Sequence, residues 1–290
     1  MPIFDIKNIY YKYDKMYKDG KYVLNNISFC IEKKDIVALI GKSGSGKSTL
    51  ISHLNGILKS DRGDILYKGE SIYGKDFDLT SLRFKCGVVF QYPEYQLFSE
   101  TVIDDVAFGA LKMGLEKKDA YKKAEEVLKL LQIEYLKDAV PFNLSGGEKR
   151  KVAFAGVFVM NPEVLIFDEP DAGLDTATKK LFYNFIKMLN DKYDKTIVFV
   201  THNLDDVVEY ANKVIIINDG VIERIGEPFD VFSDIELMKK CNLVTPYAIE
   251  IYNYLLKNGV KIDCKNLKFD NMVSELNKIN DKRCNTRTIL

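Results

Sequence analysis

The sequence lacks several features that would place the protein within a membrane or outside the cell. No run in its 290 residues approaches the roughly 20 apolar residues that a membrane-spanning helix needs. The N-terminus MPIFDIKNIYYKYDK lacks the charged-then-apolar order of a signal peptide. The five cysteines never form a C-x-x-C pair, which argues against disulfides and structural zinc. We therefore expect a cytoplasmic protein, and if it serves a membrane, a partner must span the bilayer.

The chain also lacks net charge. Lys plus Arg equals Asp plus Glu, at 42 each, so no overall field draws the protein to nucleic acid or to acidic lipid. No internal repeat or low-complexity block is present. The hydrophobic content of 47% is that of an ordinary packed core, and the length suits one large domain with a smaller appendage.

Strand-length apolar segments alternate with helix-length segments along most of the chain. NIYYKY and YVLNNISFCI predict two edge strands, and DIVALIG predicts a buried strand that ends at Gly41. The other predicted strands cover residues 84–90, 164–167, 196–200 and 214–217, with a closing hairpin at 218–226. This alternation predicts an α/β fold with a mainly parallel sheet, whose ligands bind at the carboxyl ends of the strands.

Two regions are predicted to be helical. Residues 101–136 have helical periodicity and few strand signals, which favours an inserted helical subdomain. After Pro228 the sequence changes to short amphipathic helices. We expect the polar tail NKINDKRCNTRTIL to fray.

The strongest single motif is a phosphate-binding loop, GKSGSGKS, which follows an apolar strand and precedes a helix-forming segment. Its glycines let backbone N–H groups turn toward phosphates, and the next helix directs its positive end at them. We expect Lys47 to reach the terminal phosphates, Ser48 to ligate Mg²⁺ and Thr49 to contact the α-phosphate. The predicted nucleotide contacts in this loop are Gly41, Lys42, Ser43, Gly44, Ser45, Gly46, Lys47, Ser48 and Thr49.

The segment VLIFDEP supplies the carboxylates that a nucleoside triphosphate site needs. Asp168 is the expected metal-side carboxylate. Glu169 projects beyond it, next to the γ-phosphate position, and is the expected general base for the attacking water. Gln91 and His202 each follow a predicted strand, so both should reach the same sheet edge. We expect Gln91 to contact Mg²⁺ or water, and His202 to hydrogen-bond the γ-phosphate.

Together these motifs resemble the ATP-binding-cassette (ABC) ATPases. LSGGEKR is similar to the signature motif of that family, and AGLD and the TH of IVFVTH follow in the order of the family. The resemblance covers about residues 1–235. It implies a P-loop core sheet, an antiparallel β subdomain and a helical subdomain inserted at about 92–160. It also implies that the protein binds ATP with Mg²⁺ and hydrolyses it.

In this family the signature of one chain caps the ATP that is held by the phosphate loop of another, so two chains sandwich two nucleotides. The resemblance therefore implies a dimer, with Asp175 on the loop that crosses the interface. The residues placed against the partner's ATP are Ser145, Gly146, Gly147 and Glu148.

At three positions the match to the family is uncertain or incomplete. Tyr13 takes the place of the aromatic side chain that stacks on adenine, with Tyr10 and Tyr11 as competing candidates. Glu148 stands where the family more often has Gln, and Asp171 stands where Thr is commoner. Neither of these two replacements removes a phosphate contact, so we expect the protein to be active.

The sequence after Gln91 is similar to that of the ATPase subunits of energy-coupling factor transporters, which take up vitamins and transition-metal ions. Tyr92, Tyr95, Leu97 and Phe98 gather apolar side chains beside Gln91, which suits a surface that docks a partner's helix, although a cluster of this kind can also be ordinary core. The resemblance implies a short C-terminal helical extension, residues 236–290, that helps two subunits pair.

PEYQLF favours the second of two paralogous ATPases. That resemblance implies a heterodimer with a paralogue, an integral membrane scaffold protein and a separate substrate-binding membrane protein. The chain would then be a peripheral protein on the cytoplasmic face of the cell membrane. The alternatives are the ATPase of a conventional ABC transporter and a soluble cassette ATPase that acts on DNA. Zero net charge argues against a nucleic-acid partner.

Overall fold

A computed structural model of the chain describes residues 1–13, 21–260, 262, 268 and 271–279. Its strands are β1 (Phe4–Tyr11), β2 (Leu24–Ile31), β3 (Ile36–Ile40), β4 (Arg62–Tyr67), β5 (Glu70–Ser71), β6 (Cys86–Val89), β7 (Val164–Asp168), β8 (Thr196–Val200), β9 (Lys213–Asn218) and β10 (Val221–Gly226). Its α-helices are α1 (Lys47–Leu54), α2 (Leu79–Lys85), α3 (Val102–Lys112), α4 (Lys117–Leu130), α5 (Gly146–Phe158), α6 (Thr176–Tyr193), α7 (Leu204–Tyr210), α8 (Pro228–Phe232), α9 (Ile235–Lys240) and α10 (Tyr247–Lys257). Residues 271–279 are also helical.

The strands form two sheets. The larger has the order β10-β9-β3-β8-β7-β6, in which β10 pairs antiparallel with β9 and the other strands are parallel. The smaller is antiparallel, in the order β2-β1-β4-β5. The predicted α/β cassette fold, with a parallel core sheet and an antiparallel β subdomain, is confirmed.

The central strand β3 explains how the layers are held together. Its side chains alternate between two apolar cores. Val37 and Leu39 face the core shared with α1 and the antiparallel sheet. Ala38 and Ile40 face the core shared with α6 and α7. A strand that is buried on both faces needs a continuous apolar run, which IVALI supplies. Each fully buried side chain of this size contributes up to about 1.5–3 kcal/mol.

A third apolar core joins α3, α4 and α5 beside the main sheet. The predicted helices of residues 101–136 are present as α3 and α4. Asp105 helps to fix the segment before α3, because its carboxylate accepts from the backbone N–H groups of Phe98 (2.9 Å) and Ser99 (2.8 Å). The outer limits proposed for this subdomain, about 92 and 160, stay a prediction.

The structure corrects two strand predictions and adds a hairpin that the sequence did not predict. β1 begins at Phe4, before NIYYKY, and lies between β2 and β4, so it is not an edge strand. The hairpin of β4 and β5 was not predicted, because polar residues dominate RGDILYKGES and only two of the side chains of β4 are buried. The strand predicted at 84–90 begins only at Cys86, because α2 extends to Lys85.

The C-terminal helices pack on the same core as the main sheet. Phe232 of α8, Met238 of α9 and Ile249 of α10 are buried in the cluster that contains α6 and α7. The division into residues 1–235 and 236–290, and the pairing role of the second segment, stay predictions. Most of the tail NKINDKRCNTRTIL lies outside the described residues. Among the helices that the structure describes, none combines the length and apolarity needed to cross a membrane.

Candidate active site

The phosphate loop connects β3 to α1, and its conformation requires glycine at two points. Gly41 and Gly46 have φ angles of 147° and 105°. A Cβ atom on Gly41 would lie 2.0 Å from the carbonyl oxygen of Ile217, and one on Gly46 would lie 2.8 Å from that of Val23. Any other residue would be strained and would also clash. The backbone of β9 and of the residue before β2 therefore limits the shape of the loop.

Lys47 folds back over this loop. Its Nζ donates to the carbonyl oxygens of Gly41 and Lys42, both at 2.9 Å. Burial lowers the pKa of Lys47, and the charges of Glu169 and Asp168 oppose that effect. The ammonium group is thus held beside the two carboxylates by backbone carbonyls that phosphate oxygens can replace.

Ser48 and Asp168 meet at the start of α1. The Ser48 hydroxyl lies close enough to the Asp168 carboxylate to lower the pKa of that carboxylate. Asp168 is buried, and burial raises its pKa, while the nearby Ser48 hydroxyl and the charge of Lys47 oppose that rise. Paired oxygen donors suit a hard cation such as Mg²⁺. The described part of the chain holds no cluster of three or more His, Cys, Asp or Glu residues that could bind a metal.

The three predicted catalytic side chains meet at the carboxyl ends of β6, β7 and β8. Gln91 Nε2 donates to Glu169 Oε2 at 2.7 Å, and His202 Nε2 lies 2.9 Å from Glu169 Oε1. Glu169 has a φ angle of 48°, a left-handed conformation that non-glycine residues rarely adopt. Both oxygens of its carboxylate are therefore fixed in direction, next to Lys47 and Asp168.

Tyr13 lies beside the phosphate-loop helix. Its hydroxyl is 3.0 Å from Thr49 Oγ1, and its ring is 61% exposed. Of its two competitors, Tyr11 is buried in the core and Tyr10 packs against Tyr22. Tyr13 is thus the tyrosine of YYKY that has both an open ring face and a contact to the loop.

The signature residues begin α5, and they do not line the cleft that contains the phosphate loop. Ser145 caps this helix together with Glu148: the Ser145 hydroxyl donates to Glu148 Oε2 at 2.7 Å, and these contacts lower the pKa of Glu148. Gly146 and Gly147 are exposed, and a Cβ atom on either would meet nothing within 4 Å. The chain's own packing does not explain why these two positions are glycine.

Asp175 is exposed and caps α6, accepting from the backbone N–H of Thr178 at 2.9 Å. The hydroxyl of Thr178 also donates to this carboxylate at 2.9 Å. These bonds hold the carboxylate of Asp175 to its own helix, and they lower its pKa. The loop before α6 is therefore a fixed, solvent-facing surface.

The catalytic edge opens into a cleft of about 830 Å³. Gly41, Lys42, Glu169 and His202 lie on one side, and residues 242–250 of the C-terminal segment lie on the other. The backbone N–H of Tyr247 donates to Asp205 Oδ1 at 2.8 Å, which ties that segment to α7. The sequence analysis did not predict this wall, because the residues carry no motif.

An ion cluster near the catalytic edge was also not predicted from the sequence. Lys179 of α6 lies 3.2 Å from Asp171 Oδ2 and also pairs with Asp206 of α7. Burial alone would lower the pKa of Lys179, but the two carboxylates outweigh it and raise that pKa. The cluster joins the residue two positions after Glu169 to the helix that follows His202. It also gives a structural role to Asp171, where the family commonly has Thr.

We expect Lys179→Met to destabilise the protein by roughly 1–3 kcal/mol, because Asp171 and Asp206 would then face each other without a counter-charge. Burial raises the pKa of Asp206, so the folded state takes up a proton at a higher pH than the unfolded chain. The loss should therefore be largest near neutral pH and shrink as the pH is lowered. Urea unfolding at two pH values measures this.

Lys239→Met is the matched control, because Lys239 and its partner Glu236 are both highly exposed and such pairs contribute little. Equal effects of the two substitutions, or a loss that grows as the pH falls, would show that the cluster does not act as described.

Four exposed aromatic side chains form two pairs, of which Tyr92, Tyr95 and Phe98 follow Gln91 in sequence and Phe108 belongs to α3. Tyr95 is 84% exposed, its ring lies 6.1 Å from that of Tyr92, and the rings of Phe98 and Phe108 are 4.9 Å apart. We call these four residues the aromatic patch. The prediction of an apolar surface is right for Tyr92, Tyr95 and Phe98 and wrong for Leu97, which is buried.

Comparison with known proteins places this site in a family. The sequence profile of the ABC transporter family matches residues 24–172. The energy-coupling factor transporter ATP-binding protein EcfA2 of Clostridioides difficile is 41% identical over 94% of this chain and 96% of its own length. EcfA of Methanocaldococcus jannaschii is 42% identical over 87% of this chain and 90% of its own length.

Two solved structures of ABC transporter cassettes are also similar to this chain. The structure of cbiO1 from Clostridium perfringens, part of the ABC transporter complex cbiONQ, has a TM-score of 0.73 at 37% identity and covers 87% of this chain and 99% of its own. The dimeric bacterial ABC transporter cassette MJ0796 has a TM-score of 0.68 at 27% identity and covers 78% of this chain and 98% of its own. The chain therefore belongs to the ABC transporter family, among the ATP-binding proteins of energy-coupling factor transporters.

Proposed function

We propose that this energy-coupling factor ATPase uses Glu169 as its general base to hydrolyse ATP, and that the reaction powers uptake of a vitamin or a transition-metal ion. The observation that carries the proposal is the Glu169 carboxylate, held by Gln91 at 2.7 Å and His202 at 2.9 Å beside the phosphate loop. A carboxylate in this place can take a proton from water as the water attacks the γ-phosphate.

The other side chains have distinct roles in this reaction. Lys47 leaves the carbonyl oxygens of Gly41 and Lys42 and binds phosphate oxygens. His202 donates a hydrogen bond to the γ-phosphate, and Gln91 orients the attacking water. Bound Mg²⁺, for which Ser48, Asp168 and Gln91 are the proposed ligands, would neutralise charge on the phosphates. The rest of the loop, Ser43 to Gly46, contributes backbone N–H groups, and Tyr13 offers its exposed ring to adenine.

A second cassette completes each site in this proposal. Gly146 and Gly147 have open space beside their Cα atoms, which suits close approach of a partner's nucleotide. The Ser145 hydroxyl would exchange Glu148 for the γ-phosphate of that nucleotide, and Asp175 would lie at the interface. A helix N-terminus with free N–H groups favours such an anion. The dimeric cassette MJ0796 supports this arrangement.

The membrane partners are proposed from the aromatic patch and from the relatives. The patch begins at Tyr92, which directly follows Gln91 in the chain, so a helix docked there can influence the catalytic residues. Relatives named EcfA2 favour pairing with a paralogous cassette, and cbiO1 is part of a larger complex. We therefore propose a heterodimer with a paralogue, bound to an integral scaffold protein and a substrate-binding membrane protein at the cytoplasmic face. Residues 236–290 would help the two cassettes pair.

The test is purification of the chain from its native membranes in a mild detergent, followed by mass spectrometry of the bound proteins. A second cassette ATPase, a polytopic scaffold and a small substrate-binding membrane protein are the expected partners. Recovery of two large permease subunits, or of no membrane protein, would overturn the proposed transporter type. The hydrolytic role of Glu169 would be unaffected, because it does not depend on which membrane proteins bind the chain.

A further inference from the structure

Arg150 lies in the second turn of the signature helix α5 and connects two functional segments. Its Nη1 donates to the carbonyl oxygen of Ala172 at 2.9 Å and approaches that of Pro170 at 3.5 Å. Its Nε lies 3.7 Å from Glu94 Oε2. One guanidinium group therefore contacts the turn after Glu169 and also the short helix that carries part of the aromatic patch.

The contact with Glu94 is well shielded. The side chains of Arg150 and Glu94 are 17% and 19% exposed. Within the described residues, the buried Glu94 Oε2 accepts no hydrogen bond, so the charge of Arg150 is what compensates it. Glu94 lies in the 3₁₀ helix Pro93–Gln96, between Tyr92 and Tyr95. A displacement of these tyrosines must therefore move Glu94. Arg150 then moves with Glu94, because separating two partly buried opposite charges is unfavourable.

The contact of Arg150 with the backbone is connected to the catalytic base, Glu169, by hydrogen bonds within one turn. Ala172 donates its backbone N–H to the carbonyl oxygen of Glu169 at 3.2 Å, and Leu174 donates to that of Asp171 at 3.1 Å. Arg150 thus anchors the turn whose first residue is Glu169. The planar guanidinium has donors in fixed directions, so it can hold this turn and Glu94 together, whereas a lysine has one point charge.

We propose that Arg150 is a positioning residue that couples occupancy of the aromatic patch to the geometry of Glu169. Docking of a partner's helix on Tyr92 and Tyr95 shifts Glu94, and Arg150 moves with it. The turn at 170–172 then moves and changes the direction of the Glu169 carboxylate. The coupling rests on the proposed function, because it needs a membrane partner on the patch. The link through Arg150 is a property of this chain alone.

The link is tested first by amide hydrogen exchange on the isolated full-length chain. In Arg150→Lys and in Glu94→Gln, the amides of Ala172 and Leu174 should exchange roughly 5- to 30-fold faster than in the wild type, since their turn loses its anchor. Arg83→Met is the matched control, because this exposed arginine also donates to a backbone carbonyl, that of Gly56. Unchanged exchange of both amides in Glu94→Gln would overturn the link.

The coupling is tested in the complex purified from membranes, by comparing its ATPase rate with that of the isolated cassettes. In Arg150→Lys and Glu94→Gln the stimulation of kcat by the membrane partners should be lost while KM for ATP is retained. The double variant should be no worse than the more impaired single variant. Full stimulation in both single variants would overturn the coupling and leave the proposed function intact. A wild-type complex without stimulation would also overturn the coupling, whereas the proposed function is overturned only if the expected membrane partners are not recovered.

Discussion

Glu169→Gln is expected to lower kcat for ATP hydrolysis by about 10²- to 10⁴-fold, with little change in the affinity for ATP. The amide has the shape of the carboxylate, so it still fits between Gln91 and His202. It cannot accept a proton from the attacking water. A loss confined to kcat is the pattern expected when an interaction made only in the transition state is removed. Steady-state kinetics and nucleotide-binding measurements on the assembled complex separate the two quantities.

Glu163→Gln is the matched control for this prediction. Glu163 directly precedes β7, whereas Glu169 directly follows it, and Glu163 pairs with Lys68 far from the phosphate loop. Its replacement should leave kcat near the wild-type value. If Glu169→Gln retained more than about a tenth of the wild-type kcat, another group would have to be the base.

Gly147→Trp is expected to lower the ATPase rate of the complex by at least about 10²-fold, because closure of the two cassettes requires sub-ångström placement of the reacting groups. The substitution should not disturb folding, since a Cβ atom at Gly147 meets nothing within 4 Å. The first ATP-binding step should also survive, because Gly147 does not line its own chain's cleft. Thermal unfolding, nucleotide binding and ATPase rates together measure these three effects.

Two comparisons make this prediction specific. Gly147→Ala should be stably folded and only partly impaired, because alanine stabilises a helix relative to glycine. Lys129→Trp places the same bulk on an exposed position of α4 and should be fully active. Hydrolysis at the wild-type rate in Gly147→Trp would mean that no partner approaches this surface.

The phosphate loop was predictable because its chemistry is local. Gly41 and Gly46 hold left-handed conformations next to neighbouring backbone, and the motif encodes this directly. The meeting of Gln91, Glu169 and His202 followed from one rule, that parallel strands share an edge at their carboxyl ends. Only the order of the strands, which no local pattern specifies, was needed from the structure.

Charged residues on helices were not predictable in the same way. Arg150 and Lys179 lie in runs of lysine and arginine that normally face solvent. Their partners come from other elements, since Arg150 meets Glu94 and Lys179 meets Asp206. Such contacts depend on how α5 and α6 pack and leave no periodic signal. The segment 242–250 escaped notice for the same reason.

The burial of Leu97 shows that sequence patterns do not predict which side chains of a loop are exposed. The prediction treated Tyr92, Tyr95, Leu97 and Phe98 as one surface, but Leu97 joins the core of the helical subdomain. Only the 3₁₀ helix Pro93–Gln96 and the turn after it decide which of these side chains faces solvent. Spacing alone does not contain that information.

The central claim is that the signature of this chain caps ATP held by another cassette. The most direct measurement is amide hydrogen exchange on the membrane-derived complex carrying Glu169→Gln, with Mg²⁺ and either ATP or ADP. Exchange at residues 145–148 should slow at least about tenfold with ATP and not with ADP, because the free N–H groups that begin α5 would then bind a γ-phosphate. If ATP protected residues 41–49 but left 145–148 unchanged, the claim would be contradicted.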